Sequence, residues 1–170
     1  LIDGLPFDEH CEKHHLDQRS RVTLLAAAAD AVQMLHESAV IHRDIKPSNI
    51  LVDSHGRPII IDLGLAKIAA VNTSSPTLTV DGSVMGTPAF MSPEQARGGR
   101  PRQSRVGSPH PKGGPEIAID DDACGPEVST RSDVYSLGAT AWSVLLGQTP
   151  FDLQELSLTE ALHRVAYGEP

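Results

Sequence analysis

The chain is poor in cysteine, in basic residues and in long apolar runs, and each shortage removes a class of reading. Cys11 and Cys124 are its 2 cysteines. They have neither a pairing pattern nor metal-ligand spacing, so no disulfide framework is expected, and the chain reads as an intracellular one with two free thiols. Lys and Arg number 14 against 22 Asp and Glu, a net charge of −8. A polyanion binder carries a basic footprint, so nucleic acid is not the expected partner. No stretch approaches the ~18 apolar residues of a membrane span: the run from Leu24 stops at Asp30, and the run around Ile61 stops at Asp62. Leu1-Ile2-Asp3-Gly4 has no basic segment followed by an apolar one, hence no signal peptide, and the missing initiator methionine points to sequence upstream. At 170 residues the chain is long enough for one domain with a real core.

What is present is a set of periodic segments around polar loops. Leu24, Leu25, Ala28, Ala31, Val32 and Leu35 recur at helical spacing among alanines, and Asp17 is a suitable cap, which predicts a helix over about 18–37. Ala39-Val40-Ile41 and Ile50-Leu51-Val52 read as short β runs on either side of a polar loop, and His55-Gly56-Arg57 reads as the turn of a hairpin ending at Ile61. Residues 69–85 are rich in Ser and Thr without periodicity, which predicts a mobile loop with several phosphorylatable hydroxyls. Residues 97–128, punctuated by Gly and Pro, basic in the first half and acidic in the second, predict a disordered insert. Thr130 and Asp133 form an acidic capping-box variant for a helix that ends near Gly147, and Ser157 or Thr159 opens a last helix closed by Gly168. Tyr135 and Trp142 are expected to pack. His10, His14, His15 and Cys11 cluster locally, but no second ligand group follows at useful spacing.

The loop His42-Arg43-Asp44-Ile45-Lys46-Pro47-Ser48-Asn49 carries the chemistry, and 13 positions after Asn49 comes Asp62. Phosphoryl transfer needs a carboxylate to orient and accept the proton of the attacking hydroxyl, a cation for the transferred charge, and oxygen ligands for divalent metal. Asp44, Lys46, and the pair Asn49 and Asp62 supply those three. A hairpin between them brings Asn49 and Asp62 to one rim. Singly, each is more simply a solvated loop residue or a turn cap; jointly they are not. His42 reads as a packed structural histidine.

With that loop go Asp62-Leu63-Gly64, Gly86-Thr87-Pro88-Ala89-Phe90-Met91-Ser92-Pro93-Glu94-Gln95-Ala96 and Arg131-Ser132-Asp133-Val134-Tyr135-Ser136-Leu137-Gly138. In this order they resemble the C-terminal lobe of a eukaryotic-type Ser/Thr protein kinase of the variety common in bacteria. The resemblance implies a mainly α fold with a small β-hairpin, the kinase-like C-lobe of an α+β, two-lobed parent, with residues 1–170 as a partial kinase domain. It implies Asp44 as catalytic base, Lys46 on the transferred phosphate, and Asn49 and Asp62 on magnesium, with Lys46, Asn49, Leu51 and Asp62 forming this chain's share of the ATP site. It further implies Arg43 as receiver of an activation phosphate, from Thr77 or Thr79, and Thr87 as the platform residue that favours Ser/Thr substrates. His42, Glu94 and Asp133 become structural supports, Glu94 pairing with an arginine of a later helix that this chain does not reach.

Leu63 and Ser92 depart from the commonest family residues but keep an apolar and a small side chain. The larger departure is that no glycine-rich phosphate loop, strand lysine or partner glutamate occurs. The chain is therefore expected to be a C-lobe fragment that lacks the N-lobe, needs it in cis, and transfers phosphate weakly alone. The expected partners are Ser/Thr-containing protein substrates and a second copy for autophosphorylation, in the cytoplasm or on the cytoplasmic side of a membrane-anchored parent. Two alternatives stay open: a kinase-like interaction module without catalysis, and a small-molecule kinase.

Overall fold

The computed structural model describes residues 3–63, 88–101 and 127–169. In chain order these form β1 (Leu5–Pro6), α1 (Phe7–Lys13), α2 (Gln18–Glu37), a 3-10 turn (Pro47–Asn49), β2 (Ile50–Val52), β3 (Pro58–Ile60), a second 3-10 turn (Pro88–Phe90), α3 (Pro93–Ala96), β4 (Arg100–Pro101), β5 (Glu127–Val128), α4 (Thr130–Leu146) and α5 (Leu158–Tyr167). Among the described residues no helix is long and apolar enough to cross a membrane.

Helix α2 forms where the periodicity places it. Asp17 caps it by accepting a bond from the Ser20 amide at 2.8 Å, and Leu24, Leu25, Ala28 and Val32 form its buried stripe. Its end consumes residues that read as a β run. Ala39 takes the left-handed conformation, φ 57°, and the amides of Ala39 and Val40 bond back to the carbonyls of His36 and Leu35. That is a Schellman closure, and it corrects the expected strand at 39–41: the orphan carbonyls of the last helical turn outcompete strand pairing for these amides.

The hairpin forms with register Ile50↔Ile60, Leu51↔Ile59 and Val52↔Pro58, and Gly56 supplies the positive φ of its turn. The Asp53 carboxylate locks that turn by accepting the amides of His55 and Arg57, each at 2.9 Å. The expectation of a mainly α C-lobe with only a small hairpin is corrected by a third strand. β1 pairs antiparallel with β2, Leu5 opposite Val52, giving a three-stranded sheet in the order β1-β2-β3 that begins at the N-terminus, with α1 and α2 between β1 and β2 and the other helices after β3. Two residues, one of them a proline without an N–H, give no period-2 signal, and a proline fits only an edge strand of this kind. Helix α1, also unforeseen, follows directly and buries Phe7 and Cys11.

Helix α4 is capped by Ser129 rather than Thr130: the Ser129 and Ser132 hydroxyls bond each other's backbone amides or their neighbours', and Gly147 closes the far end at φ 73°. Helix α5 opens on a Ser157–Glu160 capping box. One core joins α1, α2, β2 and α4 through Phe7, Leu25, Ala28, Ile50, Val52 and Val144. Arg21 ties α2 to α4 by donating to the Val144 carbonyl at 2.6 Å. The ends of the expected 97–128 insert meet, since β4 and β5 pair in parallel with Arg100 opposite Glu127; residues 102–126 lie outside the described ones.

Candidate active site

The polar loop 42–49 runs from the end of α2 into β2, and its first turn is organised by one buried carboxylate. Asp133, in the first turn of α4, has no exposed surface. Its Oδ2 accepts the His42 amide at 2.8 Å and its Oδ1 the Arg43 amide at 2.7 Å, while His36 Nε2 lies 2.8 Å from Oδ2. Charge-assisted bonds to a desolvated carboxylate at a helix N-terminus are the strong kind. They hold Arg43 in the left-handed region at φ 68°, a conformation that costs a non-glycine residue about 1–2 kcal/mol.

His42 is fully buried and its two ring nitrogens have different tasks. The Asp44 amide donates to Nδ1 at 3.2 Å, so Nε2 carries the proton and donates to the Ile61 carbonyl at 2.8 Å. The ring therefore links the start of the loop to the residue before Asp62. The ring is packed without exposed surface.

Asp44 is half-buried, with Lys46 Nζ 3.2 Å from its Oδ2. Asn49, only 7% exposed, turns its amide nitrogen toward Asp44 and donates to the carbonyl at 2.7 Å and to Oδ2 at 3.0 Å. Its Oδ1 is then the atom left for a cation. The Ile61 amide donates to the Asn49 carbonyl at 3.0 Å, which extends the hairpin pairing by one step and sets Asp62 just past Asn49 at the same end. Asp62 is exposed and itself left-handed, φ 55°. Leu51 is half-buried in the central strand, opposite Ile59. Among the described residues no three His, Cys, Asp or Glu side chains converge as a metal-holding group. A cation here would rest on one carboxylate, one amide oxygen and ligands from outside the chain, a set that suits magnesium, which keeps water or phosphate oxygens in its shell.

The supports sit further out. Glu94 Oε1 accepts the Ser132 hydroxyl at 2.5 Å, joining α3 to the start of α4. Tyr135 is partly buried, and that burial, with the Glu94 charge, raises its phenol above the ordinary value. The Arg43 Nε is buried without a hydrogen-bond partner among the described residues. Thr77, Thr79 and Thr87 lie outside the described residues, as does Gly64.

Two contacts escaped the sequence reading. His36, 97 positions from Asp133 in the chain, supplies that carboxylate's third partner. Gln95 Nε2 donates to the Arg43 carbonyl at 2.8 Å across 52 positions. The serine–glutamine spacing of 92 and 95 is a legible capping box; nothing local reveals the reach to Arg43.

The family model described as "Protein kinase domain" matches residues 3–166. The chain belongs to the protein kinase domain family. Among curated relatives it is 32% identical over 152 residues to serine/threonine-protein kinase PknB of Mycobacterium tuberculosis, covering 88% of this chain and 20% of that protein. It is 35% identical over 130 residues to DNA damage-responsive serine/threonine-protein kinase RqkA of Deinococcus radiodurans, covering 76% and 15%. To probable serine/threonine-protein kinase pknA2 of Bifidobacterium longum it is 31% identical over 134 residues, covering 79% and 14%. The chain thus spans about a fifth or less of the length of these relatives. A family match over nearly every residue overturns the reading of a C-lobe fragment lacking the N-lobe, and with it the expected missing lobe as partner in cis. That reading leaned on absent motifs, whereas the match and the three-stranded sheet that β1 opens rest on residues that are present.

Proposed function

We propose that this chain carries the reaction centre of ATP-dependent phosphoryl transfer to serine and threonine hydroxyls of protein substrates. Asp44 orients the substrate hydroxyl and takes its proton as the oxygen attacks the terminal phosphorus of ATP, whose bond to the bridging oxygen breaks to release ADP. Lys46, held beside Asp44, offsets charge on the oxygens of the transferred group, as an ordered cation that needs no reorganisation during the reaction. Asn49 and Asp62 would hold magnesium, which when bound neutralises the phosphate oxygens. Leu51 offers an apolar surface to the nucleotide. On this reading Arg43 receives a phosphate from Thr77 or Thr79, added by a second copy, Thr87 favours hydroxyl substrates on small side chains, and the work is done in the cytoplasm or at a membrane's cytoplasmic side.

The observation that carries the proposal is the convergence of Lys46 Nζ, at 3.2 Å, and the Asn49 amide, at 3.0 Å, on Asp44 Oδ2, on a turn pinned by a buried carboxylate. An interaction module without catalysis has no use for a lysine and an amide turned onto one half-buried carboxylate. The test is transfer of labelled terminal phosphate from ATP to a Ser/Thr protein substrate by the full-length protein, compared with Asp44→Asn. Loss of the base should lower the rate about 10²- to 10⁴-fold. Equal labelling by the two proteins rejects the proposal and favours the module.

A further inference from the structure

Gln95 uses both ends of its side-chain amide, for two separate purposes. Its Oε1 accepts the Ser92 amide at 3.0 Å and the Ser92 hydroxyl at 3.1 Å, while its own backbone amide donates to Ser92 Oγ at 3.5 Å, so it completes the capping box of α3. Its Nε2 donates to the Arg43 carbonyl at 2.8 Å. The orientation of the amide is forced, because a backbone N–H can only donate and a carbonyl can only accept; a flipped amide would oppose like with like on both sides.

The Arg43 carbonyl is one pole of the peptide group that leads into Asp44. The other pole, the Asp44 N–H, goes to His42 Nδ1 at 3.2 Å. The preceding peptide is held through the Arg43 N–H by Asp133 Oδ1 at 2.7 Å. The left-handed backbone of Arg43, φ 68°, sends its N–H to α4 and its carbonyl to α3. Gln95 therefore sets the plane of the peptide on which the Asp44 side chain is mounted. Its own position is firm, since Ser92 is fully buried and the next residue beyond the helix, Arg97, donates to the Ala166 carbonyl at the end of α5 at 2.7 Å.

We propose that Gln95 is a positioning residue for phosphoryl transfer, tying the Pro93–Ala96 helix to the Arg43–Asp44 peptide; the proposal rests on the role given to Asp44 above. Glutamate at this position would cap the helix equally well. Only glutamine caps it and also donates to the loop, so the choice between these two side chains separates a helix-capping role from a reaction-positioning one.

The experiment uses the full-length protein as wild type, Gln95→Glu and Gln95→Met, with ATP and a Ser/Thr protein substrate, and reads kcat, KM for ATP and backbone hydrogen exchange over residues 42–49. Gln95→Glu keeps the acceptor for Ser92 but sets a carboxylate oxygen against the Arg43 carbonyl. Because a small displacement of a reacting group costs up to about 10²-fold, kcat should fall about 10- to 100-fold with KM for ATP within about twofold. Exchange over 42–49 should rise in both variants, while thermal unfolding of Gln95→Glu stays near wild type because the cap persists. An active wild type with an unchanged kcat in Gln95→Glu overturns the inference and leaves the proposed function standing. An inactive wild type rejects the proposed function instead, and the tie is then judged by exchange alone: unchanged protection over 42–49 in both variants refutes it.

Discussion

Replacing Asp133 by asparagine keeps size and shape and removes one acceptor from a site where every donor is fixed. The wild-type carboxylate has no exposed surface and receives the His42 amide, the Arg43 amide and the His36 ring at 2.7–2.8 Å. A hydrogen bond to a charged group contributes about 1.5–3 kcal/mol, and a buried donor left without an acceptor costs about 1–3 kcal/mol. Asparagine serves best with its oxygen toward His42 and His36, which leaves its NH2 facing the Arg43 N–H, donor against donor. One charge-assisted bond is lost and one buried amide is stranded, so the loss comes to about 3–5 kcal/mol, a large share of the roughly 5–15 kcal/mol that holds a domain together. In a domain of this size each kcal/mol moves Tm by about 2–4 °C, so the midpoint should fall by about 6–20 °C. Urea unfolding followed by far-ultraviolet circular dichroism gives the free energy directly. A change below about 0.5 kcal/mol, the level of an ordinary surface substitution, would mean that the three donors do not depend on this carboxylate, and the account of the loop as pinned from α4 would be wrong.

Two further perturbations test the frame that carries the loop. The Asp53 carboxyl is held down to about 2 from its ordinary 3.8, first by the Arg57 amide, then by the Arg57 side chain and the His55 amide working against burial. A carboxylate with a depressed folded-state value contributes stability that is complete above about pH 4 and lost as pH falls toward 2; urea midpoints across this window should decline less in Asp53→Asn than in wild type, and parallel curves would remove the turn lock from the argument. Phe7, fully buried where α1 meets the sheet and α2, should cost about 3–5 kcal/mol when cut to alanine, and a loss under about 1 kcal/mol in the same assay would show that α1 is not part of the core.

Much of the scaffold was legible because it is written in local signals. Helix α2 has Asp17 at its start and an unbroken apolar stripe; α5 has Ser157 and Glu160 at capping-box spacing; the hairpin has Gly56 at its turn. What escaped was either too short to have a period or decided by competition. β1 is two residues long and contains a proline, and Ala39 and Val40, apolar enough for a strand, are taken by the closing bonds of α2. In the site the same division holds. The motif named Asp44, Lys46, Asn49 and Asp133, but the contacts of His36 with Asp133 and of Gln95 with the Arg43 carbonyl come from residues far away in sequence and ordinary in their local context.

Backbone strain marks the limit most sharply. Two residues of the candidate site are left-handed, Asp62 and Arg43, at φ 55° and 68°. Neither is glycine, so no residue type announced them. Each conformation persists only where surrounding bonds outweigh its cost. At Arg43 those bonds are visible, the amide to Asp133 and the carbonyl to Gln95, and the charge-assisted one alone matches the ~1–2 kcal/mol of a left-handed side-chain-bearing residue. Having both does more than offset it. Two anchors from different helices fix the rotation of the chain about Arg43, and with it the direction in which Asp44 points. A glycine there would adopt the turn without strain, but it would also leave it without cost. An L-residue held left-handed from two sides has one conformation only while both helices are in place, so the aim of Asp44 is coupled to the packing of α3 and α4.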